Sequence, residues 1–268
     1  MKKILVPTDF SDLSVAACHF CTRLLEDQCE LHLLHVVPES VILDEAGNYV
    51  SDVEVDRGRK SLEEFVTEHQ IEAIQDVQYG EFDDMIKQYV SQHQIDLIVM
   101  GTHGAKGLKE VFLGSHAEKI VRHSKVPVIT LKEELPEHGI RNILLVSDFD
   151  KDRYADISAV SWLKEQLGGQ LQLLSINVSK DEDYEYYINV KMERFCKNHN
   201  LGDDVVIHIF TYPSIKEGII KFAKEHEIDM VAIGTHGRTG IERWLQGSVA
   251  EKMVNHIPLP VMTFKIAD

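Results

Sequence analysis

The sequence predicts an α/β protein made of two tandem, doubly wound domains, each with a five-stranded parallel sheet. Three observations support this fold class. The chain contains an internal repeat, and its short apolar segments alternate with longer amphipathic ones. A glycine-rich loop follows the corresponding apolar segment in both halves. Apolar strands that alternate with helices form βαβ units, and right-handed crossovers wind such units into one sheet that is buried on both faces.

The internal repeat is visible in two blocks of sequence. Residues Lys3–Phe10 return as Asn142–Phe149, and residues Ile95–Gly104 return as Ile228–Gly237. A duplication of this length indicates two domains of ordinary size. We expect these domains at residues 1–137 and 138–268.

The predicted elements follow one another in the same order in both halves. In the first half, apolar runs predict strands near residues 3–7, 30–37, 73–79, 95–100 and 126–131. Amphipathic stretches predict helices near residues 12–27, 54–69, 82–93 and 115–124. The second half repeats the strands near residues 141–146, 170–177, 204–211, 228–233 and 259–264. Sheets of this kind bind ligands beyond the carboxyl ends of their strands, where the strand order reverses.

Composition and charge favour a globular protein and argue against a membrane-spanning or nucleic-acid-binding one. A content of 44% hydrophobic and 27% charged residues is that of a globular protein. No segment approaches the roughly 20 apolar residues that span a bilayer, and the N-terminus lacks the apolar core of a signal peptide. We therefore expect a cytoplasmic protein without a membrane partner. The net charge of −16 argues against nucleic acid, whose phosphates require lysine and arginine.

The four cysteines show no disulfide framework. Cys18 and Cys21 match the pattern C-x-x-C, but they fall well inside the first predicted helix. A redox pair of this type works at a helix N-terminus, where the dipole lowers the thiol pKa. We interpret both residues as buried core residues instead.

The glycine-rich loop indicates a phosphate ligand. Each copy follows the pattern G-x2-G-x9-G-S and connects a predicted strand to a predicted helix. The residues of the pattern are Gly101, Gly104, Gly114 and Ser115 in the first half, and Gly234, Gly237, Gly247 and Ser248 in the second. The first two glycines permit positive φ and a close approach of the backbone to a ligand. The last glycine and the serine open a helix, whose unpaired N–H groups and dipole attract an anion.

A structural role can also explain the serines. Ser115–Glu118 and Ser248–Glu251 both match a capping box, in which the serine caps its own helix. The identical spacing of two copies favours phosphate binding, which is compatible with capping. No Walker A pattern occurs, and the first βα turn, Pro7–Ser11, lacks the G-x-G-x-x-G dinucleotide fingerprint.

The turn Pro7–Ser11, the two loops and the tandem arrangement together resemble the universal stress protein family, in a fused two-domain form of its ATP-binding branch. The resemblance covers both halves and implies an adenine nucleotide alpha hydrolase-like, Rossmann-like fold. In that family the loop holds the ribose and phosphates of ATP, and the aspartate after the first strand lies at the adenosine. A residue at the end of the second strand contacts adenine through its backbone.

Carried over residue by residue, the resemblance implies two nucleotide-binding sites. The first half supplies Pro7, Thr8, Asp9, Val36, Met100, Gly101, Gly104, Gly114, Ser115 and the backbone of His116. The second half supplies Ser147, Asp148, Ile176, Ile233, Gly234, Gly237, Arg238, Gly247, Ser248 and Val249. The halves differ in that Arg238 has no basic counterpart at Ala105, and a cation beside phosphates favours the second site.

The implied function is that of a nucleotide-responsive stress regulator that binds ATP, AMP or ADP and has no catalytic residues. A slow ATPase and a scaffold that binds no nucleotide remain alternatives. His103 and His236 are the candidates for a catalytic base, whereas His32 and His35 are interpreted as structural. No carboxylates are spaced as magnesium ligands, so we expect any Mg²⁺ to arrive with the nucleotide.

The resemblance also implies how the two halves meet. Single-domain relatives pair through their fifth strands about a two-fold axis, and fusion would make this contact intramolecular. The matching segments are Val126–Thr130 and Leu259–Thr263, each with a proline near its start, as suits an edge strand. We therefore expect two pseudo-two-fold-related domains, with a further homodimer left open.

Overall fold

The computed structural model contains two compact units, Met1–Glu134 and Leu135–Asp268. The predicted boundary between residues 137 and 138 stays a prediction. The structure describes residues 1–24, 29–39, 51–102, 115–133, 138–149, 156–178, 183–236 and 257–266.

The first unit alternates strands and helices as its sequence predicts. Its strands are β1 (Lys2–Pro7), β2 (Cys29–Val37), β3 (Ile74–Tyr79), β4 (Leu97–Gly101) and β5 (Val128–Leu131). Its helices are α1 (Asp12–His19), α2 (Ser51–Glu68), α3 (Phe82–His93) and α4 (Ser115–His123). The first helix was predicted to continue to residue 27, but the α-helical hydrogen bonding gives way to a π-helical segment, Phe20–Leu24.

The second unit repeats this order in its described part. Its strands are β6 (Asn142–Val146), β7 (Gln170–Asn177), β8 (Val206–Thr211), β9 (Met230–His236) and β10 (Val261–Ile266). Its described helices are α5 (Ser158–Leu167), α6 (Tyr184–Asn198) and α7 (Ile215–Glu225).

Each unit has a parallel sheet with a reversal in its strand order. The order in the first unit is β3-β2-β1-β4-β5, and in the second it is β8-β7-β6-β9-β10. All pairs within each unit are parallel. The order reverses between β1 and β4, and again between β6 and β9, which is where a doubly wound sheet binds its ligand.

The core of each unit is the continuous apolar centre of its strands. Ile4–Val6 and Ile98–Val99 are almost fully buried in the first unit, as are Ile143–Leu145 and Met230–Ala232 in the second. A strand that is covered by helices on both faces needs such an unbroken apolar run, because neither face contacts water.

One aspartate fixes the start of the central strands in each unit. Asp96 accepts a hydrogen bond from the N–H of Lys3 at 2.9 Å, and Asp229 accepts one from the N–H of Asn142 at 2.8 Å. The repeated Ile-Asp pair before β4 and β9 therefore anchors the first strand of its own unit.

Within the described ranges, no helix combines the length and the apolar character that crossing a bilayer demands.

Candidate functional site

The turn after β1 is held in one conformation by two hydrogen bonds and by the contacts of an aromatic ring. The N–H of Thr8 donates to the carbonyl of Leu34 at 2.9 Å, which ties the turn to β2. The N–H of Phe10 donates to Oγ1 of Thr8 at 3.0 Å, and Phe10 has a φ of 64°. This left-handed backbone is unusual for a bulky residue, so the contacts of the Phe10 ring must hold it there. That ring packs on His35 and Phe65, with centroids 4.5 and 5.7 Å apart.

The same turn presents the Asp9 carboxylate. Its Oδ1 accepts hydrogen bonds from the Ser14 hydroxyl at 3.0 Å and from the Ser11 N–H at 3.1 Å. Ser14 is buried, and its Oγ also accepts a bond from the N–H of Asp9 at 3.3 Å. Ser11 caps α1 by accepting a bond from the N–H of Ser14. The residues that begin α1 thus orient the carboxylate at the end of β1.

A cavity of about 270 Å³ opens at this point of the first unit. It lies at the carboxyl ends of β1 and β4, where the strand order reverses. Its lining combines apolar side chains with a few polar groups, which is typical of small-molecule sites. The lining residues are Pro7, Thr8, Asp9, Ser11, Ser14, His35, Val36, Pro38, Gly80, Glu81, Phe82, Met100, Gly101, Thr102, His116 and Ala117.

The structure brings most of the predicted first-half residues together. The cavity is lined by Pro7, Thr8, Asp9, Val36, Met100, Gly101 and His116. Ser115 is the first residue of α4, but its side chain lies outside the described part of the structure. Gly104 and Gly114 lie outside the described residues, as does His103.

Gly101 is needed for a different reason from the one the sequence suggested. The expectation was a positive φ in a loop, but Gly101 is the last residue of β4 and is not among the residues with positive φ. A Cβ at Gly101 would lie 2.6 Å from the Cβ of Leu13 in α1. Because real Cβ atoms do not approach so closely, the glycine allows α1 to pack against the end of β4.

Several lining residues were not among the predicted site residues. His35 was interpreted as structural; its Nδ1–H donates to the Thr8 carbonyl at 2.9 Å, and the side chain also lines the cavity. Phe82 at the start of α3 packs on the His116 ring, with centroids 4.5 Å apart. Their position in the sequence could have identified them. His35 lies near the carboxyl end of β2 and Phe82 follows β3, and ligands of such sheets bind at this edge.

The second unit repeats the turn. The N–H of Phe149 donates to Oγ of Ser147 at 2.9 Å, and the N–H of Ser147 donates to the Leu174 carbonyl at 3.3 Å. Phe149 has a φ of 55°, which matches the left-handed backbone of Phe10. Ser147 and the following Asp148 therefore occupy the positions of Thr8 and Asp9.

The other predicted residues of the second half are partly described. Ile176 lies near the end of β7, and Ile233 and Gly234 lie in β9. Gly237, Arg238, Gly247, Ser248 and Val249 lie outside the described residues. The side chain of His236 is also outside them.

The C-x-x-C pair belongs to the core, as predicted. Cys18 and Cys21 are fully buried, and burial raises the pKa of Cys18 to about 12 and that of Cys21 well above its usual range. Such thiols are poor nucleophiles and poor metal ligands. The described part of the chain contains no group of three or more His, Cys, Asp or Glu side chains arranged to hold a metal ion.

Comparisons with known proteins agree with the duplicated fold. A model of the universal stress protein family matches residues 1–132 and again residues 140–265. Universal stress protein MJ0531 of Methanocaldococcus jannaschii is 32% identical over 148 residues, which cover 51% of this chain and 85% of that protein. Universal stress protein MJ0577 of the same organism is 31% identical over 155 residues, with 50% and 96% covered.

A solved structure resembles the whole chain. A universal stress protein from Archaeoglobus fulgidus superposes with a TM-score of 0.74 at 20% identity, covering 99% of this chain and 98% of that one. At this level of identity the likeness concerns the fold. The two family matches, one for each unit, are the stronger evidence. The chain belongs to the universal stress protein family and carries two of its domains in tandem.

Proposed function

We propose that the protein is a nucleotide-responsive stress regulator whose first unit binds an adenine nucleotide in the cavity at the end of β1. The observation that carries the proposal is the oriented Asp9 carboxylate at the rim of an otherwise largely apolar cavity. A planar base needs apolar surfaces against its faces and a few fixed polar groups at its edge. Val36, Met100 and Pro7 offer the surfaces, and Asp9 accepts hydrogen bonds from a ribose hydroxyl or an exocyclic amine.

The other end of the cavity suits the phosphates. His116 and Ala117, in the first turn of α4, line it. The N–H groups of a first helical turn have no partner within the helix, and the helix dipole favours negative charge there. This local positive end supports phosphate binding in a chain with a net charge of −16. Any Mg²⁺ would arrive with the nucleotide and keep most of its waters.

In this proposal the protein works by binding, in the cytoplasm, and nucleotide occupancy changes its conformation or its choice of partner. A slow ATPase would release phosphate in proportion to the bound ATP. Measuring both the phosphate released and the nucleotide retained distinguishes ATP hydrolysis from binding without hydrolysis.

The decisive experiment is mass spectrometry of the denatured, untreated protein, followed by calorimetric titration of the nucleotide-free protein with ATP and AMP. We expect a retained adenine nucleotide, and an Asp9→Ala variant whose ATP affinity falls about 10- to 100-fold, as loss of a charge-assisted hydrogen bond implies. The matched control is Asp12→Ala, which removes the same charge from an exposed residue of the same segment. Absence of any adenine nucleotide binding would overturn the proposal in favour of a scaffold.

A further inference from the structure

The two units differ at the penultimate residue of their second strands. In the first unit, the carbonyl of Leu34 accepts the N–H of Thr8, so it points toward β1. Backbone groups two residues apart in a strand point to the same side, so the carbonyl of Val36 also points that way, beyond the end of β1. Val36 lines the cavity there. Its carbonyl is therefore available to a donor on a ligand.

The second unit places Ile176 in the equivalent position. The carbonyl of Leu174 accepts a hydrogen bond from the N–H of Ser147, just as the carbonyl of Leu34 accepts one from the N–H of Thr8. The carbonyl of Ile176 thus points over the Ser147 turn. Here, however, it already has a partner, because the Tyr184 hydroxyl donates to it at 3.4 Å. The same hydroxyl is hydrogen-bonded to the Ser175 hydroxyl at 2.8 Å.

Ile176 is also covered, whereas Val36 is half-buried and open to the cavity. Ile176 has only 4% of its surface exposed. Its side chain packs toward α7 at Gly218, where a Cβ would lie 3.3 Å from Cδ1 of Ile176. The same Cβ would lie 3.0 Å from the Cβ of Tyr212, so the glycine lets both side chains fill this wall.

The first unit has no tyrosine at the corresponding position. Phe65 in α2 packs on Phe10, and Phe195 in α6 packs on Phe149, which aligns the two helices. The residue eleven positions before each of these phenylalanines is Glu54 in the first unit and Tyr184 in the second. Glu54 pairs instead with Arg57 of its own helix at 2.7 Å.

From these contacts we infer that the chain binds one adenine nucleotide, in the first unit. In the second unit, the side chain of Tyr184 takes the place that the adenine base would occupy. The inference rests on the proposed function. A base entering the second unit would displace the tyrosine hydroxyl from the Ile176 carbonyl and separate it from Ser175. The nucleotide-binding site is therefore assigned to the first half, whereas the positive charge of Arg238 had favoured the second.

The test is the stoichiometry of ATP binding to the nucleotide-free full chain, measured by calorimetry and equilibrium dialysis. We expect one ATP per chain, and for Asp9→Ala one ATP bound about 10- to 100-fold more weakly. Removing the internal occupant in Tyr184→Ala should raise the number to two, because both the carbonyl and the space become accessible. The control is Tyr186→Ala, on the same helix, where the residue is 72% exposed; this variant should stay at one.

The outcomes separate the two proposals. Two nucleotides per wild-type chain, or one nucleotide bound by Asp9→Ala with the wild-type affinity, would overturn the inference but not nucleotide binding itself. A folded Tyr184→Ala protein that still binds one would overturn the role of Tyr184. Zero nucleotides on wild-type protein would overturn the proposed function and, with it, this inference. Wild-type stoichiometry and Asp9→Ala decide the assignment even where Tyr184→Ala does not fold.

Discussion

The hydroxyl of Ser14 lies 3.0 Å from Oδ1 of Asp9 and donates a hydrogen bond to it across the first turn of α1. Ser14 is buried whereas Asp9 is exposed, so this bond is shielded from water on one side, and the Ser11 N–H adds a second donor to the same oxygen at 3.1 Å. Because two donors hold one oxygen, the carboxylate keeps a single orientation at the cavity rim. Ser14 is therefore a positioning residue for Asp9.

We predict that Ser14→Ala lowers ATP affinity about 5-fold, corresponding to about 1 kcal/mol, the usual net value of one such bond. Calorimetric titration measures the change. The control is Thr67→Ala, which removes a hydroxyl that donates to a carbonyl on the exposed face of α2. If Ser14 acts through Asp9, the substitution has little further effect in an Asp9→Ala background. An equal loss in both backgrounds would contradict the positioning role.

Gly101→Ala should destabilise the protein by about 1–3 kcal/mol, the usual cost of overpacking. The clash is with the Cβ of Leu13, so a change of rotamer cannot relieve it and α1 must shift. Urea unfolding measures the loss. Gly202→Ala is the control, since its new Cβ would meet only side-chain atoms of the exposed Asp204, which can turn away at the cost of its surface ion pair with Lys164. Equal stabilities for the two variants would contradict the packing argument.

Lys132 follows β5, and its Nζ is buried with no hydrogen-bond partner among the residues that the structure describes. Burial lowers the pKa of Lys132 from 10.5 to about 8, although Glu133 opposes the shift. The folded state therefore holds the proton less tightly than the unfolded state, so stability rises as pH increases from about 8 toward 10.5. Below pH 8 the folded state carries the cost of the buried charge.

Lys132→Met should consequently raise the melting temperature at pH 7 and remove this part of the pH dependence. The matched control is Lys265→Met, at the repeated position in β10; Lys265 is not among the described residues with a buried, unbonded side-chain atom, so its replacement should change the melting temperature less. Thermal unfolding of both variants from pH 7 to 10.5 measures the difference. A lower melting temperature for Lys132→Met at pH 7 would contradict the account.

Alkylation should leave Cys18 and Cys21 unmodified in the folded protein. Both thiols are inaccessible, and burial holds the pKa of Cys18 near 12, so almost no thiolate forms at pH 8. Iodoacetamide followed by peptide mass spectrometry reports each site, and full labelling in urea is the control for reactivity. Modification of either residue at the rate of an unfolded peptide would show that the C-x-x-C pair is reactive after all.

The sequence predicted the site through its motifs and missed the residues that motifs do not contain. Pro7, Asp9 and Met100, which line the cavity, were predicted through the resemblance to a family whose motifs lie at these strand ends. His35 and Phe82 line the same cavity, but no sequence pattern connects them to Asp9. Only the parallel register of β2 on β1, and of β3 on β2, brings these separate strand ends to one edge.

The sequence by itself determined the duplication, the order of strands and helices, and the family, because these depend on periodicity and on local motifs that recur along the chain. Only the tertiary structure decided that Gly101 serves helix packing and that Tyr184 covers the Ile176 carbonyl. Both facts are contacts between residues distant in sequence or on different elements. Close packing determines such contacts, and two halves with the same motifs can therefore differ in which one is open to a ligand.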